Sequence, residues 1–343
     1  MMTQRYKLVF ITNLPSFYKI NLYNEINKKV PVFVIFTGDI VQEREKDFFN
    51  GEINFDHLCL PGNSKLKRLF KLIKILSKLK YSELVLGGWD SFLFWVSIFL
   101  SPKRKNSVAI ESSYHESSMS GIKGLLKKIF MKRISRVYAS GVSQMKLAKN
   151  MGYNGNNIII TKGVGVFNYI EQPEYKEKSV VKNFVYVGRL SEEKNLRLLI
   201  SVFNRLPMMN LNIIGYGHMK DELVTIAKNN VFFIGSVDNK QLPKYYQQND
   251  VFILPSISEP WGLVVEEALN NGLPVILSNR VGCAEEILIE NENGLSFQYD
   301  NEDSLFEAIR QMADIVTYNR MAKNISKMNF RLIEDKQINS YIH

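Results

Sequence analysis

Five charged side chains stand where apolar runs give way to punctuated loops, which is where a chain of this kind can do chemistry. The segment "LPSISEPWGLVVEEALNNGLPVIL", residues 254 to 277, carries Glu259, Glu266 and Glu267 beside a Trp-Gly pair. The segment "NFVYVGRLSEEKNLRLLI", residues 183 to 200, carries Arg189 and Lys194. Carboxylates accept hydrogen bonds from hydroxyl groups. Arginine offers a planar fork for phosphate oxygens and lysine a point charge. Two acids near two cations therefore fit a ligand that has both hydroxyls and anionic oxygens. A plainer reading competes for the acids: carboxylates in the first turns of a helix interact favourably with its dipole.

The elements that must hold these groups can be read around them. Val251 to Leu254 is an apolar run of buried-strand length, Pro255 and Pro260 punctuate a loop, and Leu263, Val264, Ala268 and Leu269 recur at helical spacing. Gly272 and Pro274 close that helix, and the run to Leu277 is the next strand. Glu267 lies one turn after Leu263, whereas Glu266 is turned about 100° away, so one of the pair shares a side with Glu259. In the other segment, Gly188 lets the chain turn at a strand end and a helix is expected from near Ser191 or Glu192, with Ser191 as its cap. "LNIIGYGHMKDEL" places Gly215 and Gly217 after a further strand, where a tight turn explains them equally well. "VFFIGSV" ends another strand at Gly235, followed by Ser236 and Val237.

Strands are expected at 8–11, 32–36, 83–86, 107–110, 137–139 and 158–161, and again at 184–187, 211–214, 231–234, 251–254, 274–277 and 295–297, with helical patterns between most of them. Alternation of this kind argues parallel sheets covered on both faces. The chain is thus expected to be α/β, with two Rossmann-like domains facing across a cleft. The expected boundaries are 1–166 for the first domain and 167–320 for the second, with a helix at about 320–343 packing back on the first. The polar segment "FNYIEQPEYKEKSVVKN", 167–183, reads as the linker.

Composition narrows the partners. Residues 1–165 hold 26 Lys+Arg and 11 Asp+Glu, a net +15, and residues 166–343 hold 18 and 23, a net −5, which together give the +10 of the chain. The stretch "KLKRLFKLIKILSKLK", 65–80, has seven basic residues and no acid. It reads either as a membrane-surface helix or as a core-facing helix with a solvated basic face. "GIKGLLKKIFMKRISR", 121–136, is a second basic stretch. Nucleic acid is not expected, because no reading motif accompanies the charge. The longest apolar run, "FLFWVSIFL" from Phe92 to Leu100, is too short to span a bilayer and reads as a buried core helix. No run has the pattern of a signal peptide, and Cys59 and Cys283 make neither a disulfide framework nor a metal spacing, so a reducing cytoplasmic setting is expected.

Taken in order, "YVGRLSEEKN", "IIGYG", "FIGSV", "PSISEPWGLVVEEALNNGLPVI" and "VGCAEEILIENENGL" resemble the retaining glycosyltransferases of family four, which have the GT-B fold. "LPSFYKINLYNEI", "LVLGGWDSFLFW" and "AIESS" are similar, less specifically, to members that build polysaccharides. The resemblance implies a hexosyl- or N-acetylhexosaminyltransferase of cell-surface polysaccharide or lipopolysaccharide biosynthesis; with cations placed for the leaving diphosphate and no Asp-x-Asp motif in the sequence, transfer is expected to be metal-independent. It implies no cofactor, with a nucleotide-diphosphate sugar, UDP rather than GDP, as co-substrate. The acceptor would be a glycan or lipid-linked, and the protein peripheral on the inner face of the cell membrane, drawn to an anionic surface. By the same resemblance Glu259 binds the donor sugar, Glu267 the ribose, and Arg189 and Lys194 the diphosphate. Pro260, Trp261, Gly262 and Leu263 offer backbone groups to sugar and phosphate; Gly188, Gly215 and Gly217 shape the edge; Gly235, Ser236 and Val237 border the base. Either Glu111 or His115 assists the acceptor. The chain departs from the family's pattern with Cys283 and Asn291 where glycines are usual and "TNLPSFY" where a glycine-rich loop is usual. A non-catalytic nucleotide-sugar-binding partner subunit is the alternative.

Overall fold

The computed structural model describes residues 5–38, 49, 51–60, 64–112 and 121–342. The chain divides into two units, one of residues 1–166 with 331–343, the other of residues 167–330. The first contains β1 (Arg5–Thr12), α1 (Phe17–Lys29), β2 (Val32–Phe36), β3 (Asp56–Cys59), α2 (Lys65–Leu76), β4 (Lys80–Leu86), α3 (Phe92–Leu100), β5 (Asn106–Ile110), α4 (Gly121–Lys132), β6 (Arg136–Ala139), α5 (Val142–Asn150) and β7 (Ile158–Ile160). Its sheet is parallel, in the order β3-β2-β1-β4-β5-β6-β7. The second contains β8 (Asn183–Val187), α6 (Leu196–Asn204), β9 (Asn210–Ile214), α7 (Lys220–Ile226), β10 (Val231–Gly235), α8 (Leu242–Gln247), β11 (Val251–Leu254), α9 (Leu263–Asn270), β12 (Val275–Ser278), α10 (Ala284–Ile287), β13 (Gly294–Phe297), α11 (Glu302–Ala313) and α12 (Ile315–Ile325). Its sheet is also parallel, in the order β10-β9-β8-β11-β12-β13. The last helix, α13 (Phe330–Ser340), begins at the division between the units.

Both sheets are covered on both faces, which is why their strands read as nearly unbroken apolar runs. In the first unit, Val9, Ile11, Leu84 and Val108 belong to a core under α3, α4 and α5, which contribute Phe94, Phe130 and Leu147. Leu8, Phe10, Val34 and Val85 belong to a core on the other face, closed by α1 and the C-terminal segment. There Tyr341 stacks on Tyr138 at 4.5 Å between ring centroids.

Four local readings are corrected. β3 was not expected: it is a short edge strand whose Asp56, His57 and Cys59 are exposed, so it lacks the apolar run of a buried strand. The expected linker of 167–183 instead packs on the second unit, where the Ile170 N–H donates to Asn270 Oδ1 at 3.0 Å and Gln172 donates to the Ile325 carbonyl at 3.1 Å. The helix expected from Ser191 or Glu192 is a single 3₁₀ turn, Glu192–Lys194, without a side-chain cap. α6 starts only at Leu196, where the apolar period Leu196, Leu199, Ile200, Phe203 begins, and Asn195 joins the two in a left-handed conformation, φ +56°. Finally, α3 is not a buried core helix. Leu93, Phe94 and Ile98 are buried, but Phe92 is 65% exposed and Phe99 59%.

Candidate active site

In each open parallel sheet the strand order reverses once, and ligands of such folds sit there, at the carboxyl ends of the strands. In the second unit the reversal lies between β8 and β11. The loops after these two strands carry the charged residues singled out from the sequence. Lys194 and Glu259 meet across the reversal: Nζ lies 2.5 Å from Oε2, with both side chains largely buried, 11% and 13% exposed. Arg189 stands on the same loop as Lys194, 27% exposed, and donates to Glu193 Oε1 at 2.8 Å.

The backbone around this pair is packed as tightly as glycine permits. The ladder continues past the strand ends: Gly188 N–H donates to the Ile214 carbonyl, Leu190 N–H to Tyr216, and Gly215 N–H to Gly235. A Cβ on Gly215 would lie 1.9 Å from the Gly188 carbonyl oxygen, and one on Gly217 would lie 2.2 Å from that of Leu190. Gly282 likewise presses its backbone on Pro260, where a Cβ would come within 2.0 Å of the carbonyl oxygen. Gly235 is different: its φ is +89°, and open space surrounds the position of a Cβ. Ser236 beyond it is exposed and Val237 partly so.

The loop after β11 runs to Gly262, which stands at the N-cap of α9 with φ +96° and no capping side chain. The first N–H groups of α9 point towards this edge, since a helix has no partner of its own for them. Trp261 does not present its ring to solvent. It is buried, and its indole N–H donates to Glu266 Oε1 at 2.7 Å. The adjacent acids are thus separated as the helical period requires. Glu266 is buried and holds the turn, while Glu267 lies one position round the helix and keeps some accessible surface. Tyr246 of α8 donates its hydroxyl to Glu267 Oε2 at 3.3 Å. Loss of hydration pushes the Glu267 carboxyl up to about 7, with the tyrosine hydroxyl pulling the other way.

Two departures from the expected glycine pattern find room. Asn291 sits at φ +64°, a conformation asparagine tolerates better than most residues. Cys283 is fully buried behind the loop, where its N–H donates to the Trp261 carbonyl.

In the first unit, Glu111 follows β5 and pairs with Lys19 of α1. Lys19 is buried among Tyr18, Tyr23 and Tyr341. Burial works against its charge, but Glu111 and the surrounding phenol oxygens hold its pKa above the usual lysine value. His115, the other candidate for assisting the acceptor, lies outside the described residues. The sequence reading missed Lys19 and Tyr246. Only Lys19 left a trace there: it stands four residues before Tyr23, on the face that Tyr23 buries.

The second unit as a whole matches a known family. Residues 170–328 fit the family model described as glycosyl transferases group 1. A 41.2 kDa protein from the cps region of Klebsiella pneumoniae is 30% identical over 191 residues, 53% of either chain, so the match spans about half of that relative's length. An O-antigen biosynthesis glycosyltransferase of Escherichia coli is 27% identical over 306 residues, 84% of this chain and 86% of its own. The fold is similar to that of Anabaena HepE crystallised with UDP and glucose, with a TM-score of 0.71 at 16% identity over 96% of this chain and 97% of that one. The fold is therefore that of the GT-B glycosyltransferases, and within it residues 170–328 are similar to the glycosyl transferases group 1.

Proposed function

We propose that the protein moves a sugar from a nucleotide-diphosphate sugar, UDP-linked by preference, to a glycan or lipid-linked acceptor in cell-surface polysaccharide biosynthesis. The observation that carries this reading is the Lys194–Glu259 pair at the strand reversal of the family-matching unit. The E. coli relative, named for O-antigen biosynthesis, and the UDP-bound neighbour support the pathway and the nucleotide.

On this reading Glu259 accepts hydrogen bonds from hydroxyls of the donor sugar and Glu267 from those of the ribose. Breaking the bond between sugar and diphosphate develops negative charge on the leaving group. Arg189, Lys194 and the open N–H groups at the start of α9 are fixed charges and dipoles for that anion. They supply what a metal ion supplies elsewhere, so transfer proceeds without one. Lys194 has a second part: its ammonium orients Glu259 before any ligand arrives. Retention of configuration follows the family resemblance, and Glu111 or His115 is the acceptor-side group on the first unit. A lipid-linked acceptor places the protein peripherally on the inner face of the cell membrane.

The test is incubation with UDP- and GDP-sugars in excess EDTA, with lipid and glycan acceptors, followed by NMR of the new glycosidic bond. Transfer with the donor's anomeric configuration preserved is expected. Donor binding with neither transfer nor hydrolysis would reject the catalytic reading in favour of a binding subunit.

A further inference from the structure

Three consecutive helices of the first unit carry no acidic residue: α2 reads KLKRLFKLIKIL, α3 FLFWVSIFL and α4 GIKGLLKKIFMK. They are neighbours. α2 packs on α3. Trp95 of α3 meets Phe130 of α4 at 5.2 Å between ring centroids, and the Arg133 guanidinium, just after α4, lies over the Phe99 ring at 5.4 Å.

α4 is built back to front for a core helix. At about 100° per residue, Ile122, Leu125, Leu126 and Ile129 form one stripe, and all four face solvent, Ile122 at 77% exposed. The side towards the sheet holds Gly124, Phe130 and Met131. Lys123 lies on one flank of the exposed stripe, and Lys128 and Lys132 on the other. All three lysines are exposed, and no acid among the described residues pairs with them. On α2, Leu66 and Phe70, one turn apart, are 67% and 68% exposed beside Lys67. Between these helices α3 contributes a groove of about 460 Å³ lined by Phe92, Trp95, Val96, Phe99 and Leu100. A solvated basic face would show lysines outward and leucines inward. This surface shows apolar side chains outward with lysines along their flanks, the arrangement of a helix lying in a membrane interface. No described helix is long and apolar enough to cross a membrane.

We infer that the outward face of α2, α3 and α4 docks on an anionic lipid leaflet, with the α4 stripe and the α3 groove taking up acyl-chain carbons and the flanking lysines contacting lipid phosphates. The inference deepens the lipid-linked reading above and rests on it for its purpose. The two are separable, because vesicle binding is measured without donor or acceptor, and transfer with a water-soluble glycan acceptor.

Wild-type protein is sedimented with phosphatidylcholine vesicles and with phosphatidylcholine–phosphatidylglycerol vesicles. Beside it run a triple variant Lys123→Gln, Lys128→Gln, Lys132→Gln and a second variant Ile122→Ser, Leu125→Ser, Ile129→Ser. Wild type should bind the anionic vesicles and leave a fraction resistant to high salt. Each lysine lost should weaken binding about fivefold, equivalent to about 1 kcal/mol, and the three together about a hundredfold. The serine variant should bind but be released completely by salt. Independently of any variant, lipids brominated on the acyl chains should quench the fluorescence of Trp95 in the wild type. Four results would overturn the inference: wild type left in the supernatant with anionic vesicles, all three proteins binding alike, no quenching, or a dimer in light scattering that the serine variant abolishes. The last would assign the face to a second copy of the chain.

Discussion

The two units share a topology and differ in what they place at its reversal. In the second, β8 and β11 bring a buried lysine and glutamate together, and the surrounding loops touch backbone to backbone through glycines. In the first, the reversal lies between β1 and β4, where Asn13 donates to Asp90 Oδ2 at 3.1 Å in an exposed position and Thr37 donates to Asn13 Oδ1 at 3.2 Å. Its Lys19–Glu111 pair joins α1 to the end of β5 and so does not link the loops after β1 and β4. A parallel sheet thus supplies an edge, and the side chains on its loops decide whether that edge can hold an anion. The second unit places cations beside its acid there, whereas the first places the carboxylate of Asp90 beside the Asn13 amide.

The comparison breaks first at the charges. Lys194→Ala or Arg189→Ala should lower transfer at least a hundredfold, since losing one preorganised contact to a developing anion costs about 2.7–4 kcal/mol. Asn13→Ala, at the corresponding edge of the first unit, should change it less than tenfold. Steady-state transfer assays of the three variants decide. If Lys194→Ala and Asn13→Ala behaved alike, the two edges would not be chemically distinct.

The glycines sharpen it next. Gly217→Ala drives a Cβ to 2.2 Å from the Leu190 carbonyl oxygen, so the loop after β8 must move. Overpacking of this kind costs about 1–3 kcal/mol, and the displaced loop is the one that carries Lys194. Gly87→Ala, at the end of β4, brings a Cβ only to 3.1 Å from the Thr12 hydroxyl, a side-chain atom that can turn away. Its cost should stay below about 1 kcal/mol. Thermal melting with and without UDP should show the first variant destabilised and poor in nucleotide binding, and the second close to wild type.

Lys19→Met tests the Lys19–Glu111 pair of the first unit. It leaves Glu111 without its partner, a change that costs about 3–5 kcal/mol in a dry interior. Glu111 keeps 29% of its side chain exposed, so about 2 kcal/mol is expected after solvent screening. Adding Glu111→Gln should recover most of the stability. Nucleotide binding, proposed above for the second unit, should be untouched in both, and calorimetry with UDP would reveal any loss that contradicts this.

How much of this was legible beforehand follows the physics of each feature. Buried parallel strands are apolar without interruption, so β2 and β11 could be read to the residue, whereas the exposed edge strand β3 left no such mark. Acids, cations and glycines spaced around strand ends were readable because their residue types are costly anywhere else. What could not be read was pairing through space. Lys194 with Glu259 is separated by 65 residues and Tyr246 with Glu267 by 21, and no local period connects them. The outward stripe of α4 was hidden for the opposite reason: amphipathic spacing looks the same whether the apolar side faces a core or a membrane.

The smallest effect concerns the ionisation of Glu267. Its carboxyl is pushed up to about 7 in the folded protein against an ordinary value of 4.5. Between those two pH values the folded state binds more protons than the unfolded chain, so this group's contribution is fully present below about pH 4.5 and is lost as pH rises through about 7. A full shift would be worth about 3 kcal/mol, but Glu267 retains some accessible surface, and about 1–2 kcal/mol is the reasonable expectation after screening. Glu267→Gln keeps the shape of the protonated acid. The variant should therefore melt close to wild type at pH 5 and a few degrees higher at pH 8, about 2–4 °C per kcal/mol for a domain of this size. Saturating UDP should reverse the order at pH 8, because ribose hydroxyls would donate to the ionised carboxylate and repay part of its lost hydration. Binding should then release a proton near pH 6.5, visible as a dependence of the calorimetric heat on the buffer's ionisation enthalpy and missing in the variant. Equal melting shifts at both pH values would show that Glu267 is already ionised in the free protein. A reversal without proton release would move the ribose contact to another residue of the same loop.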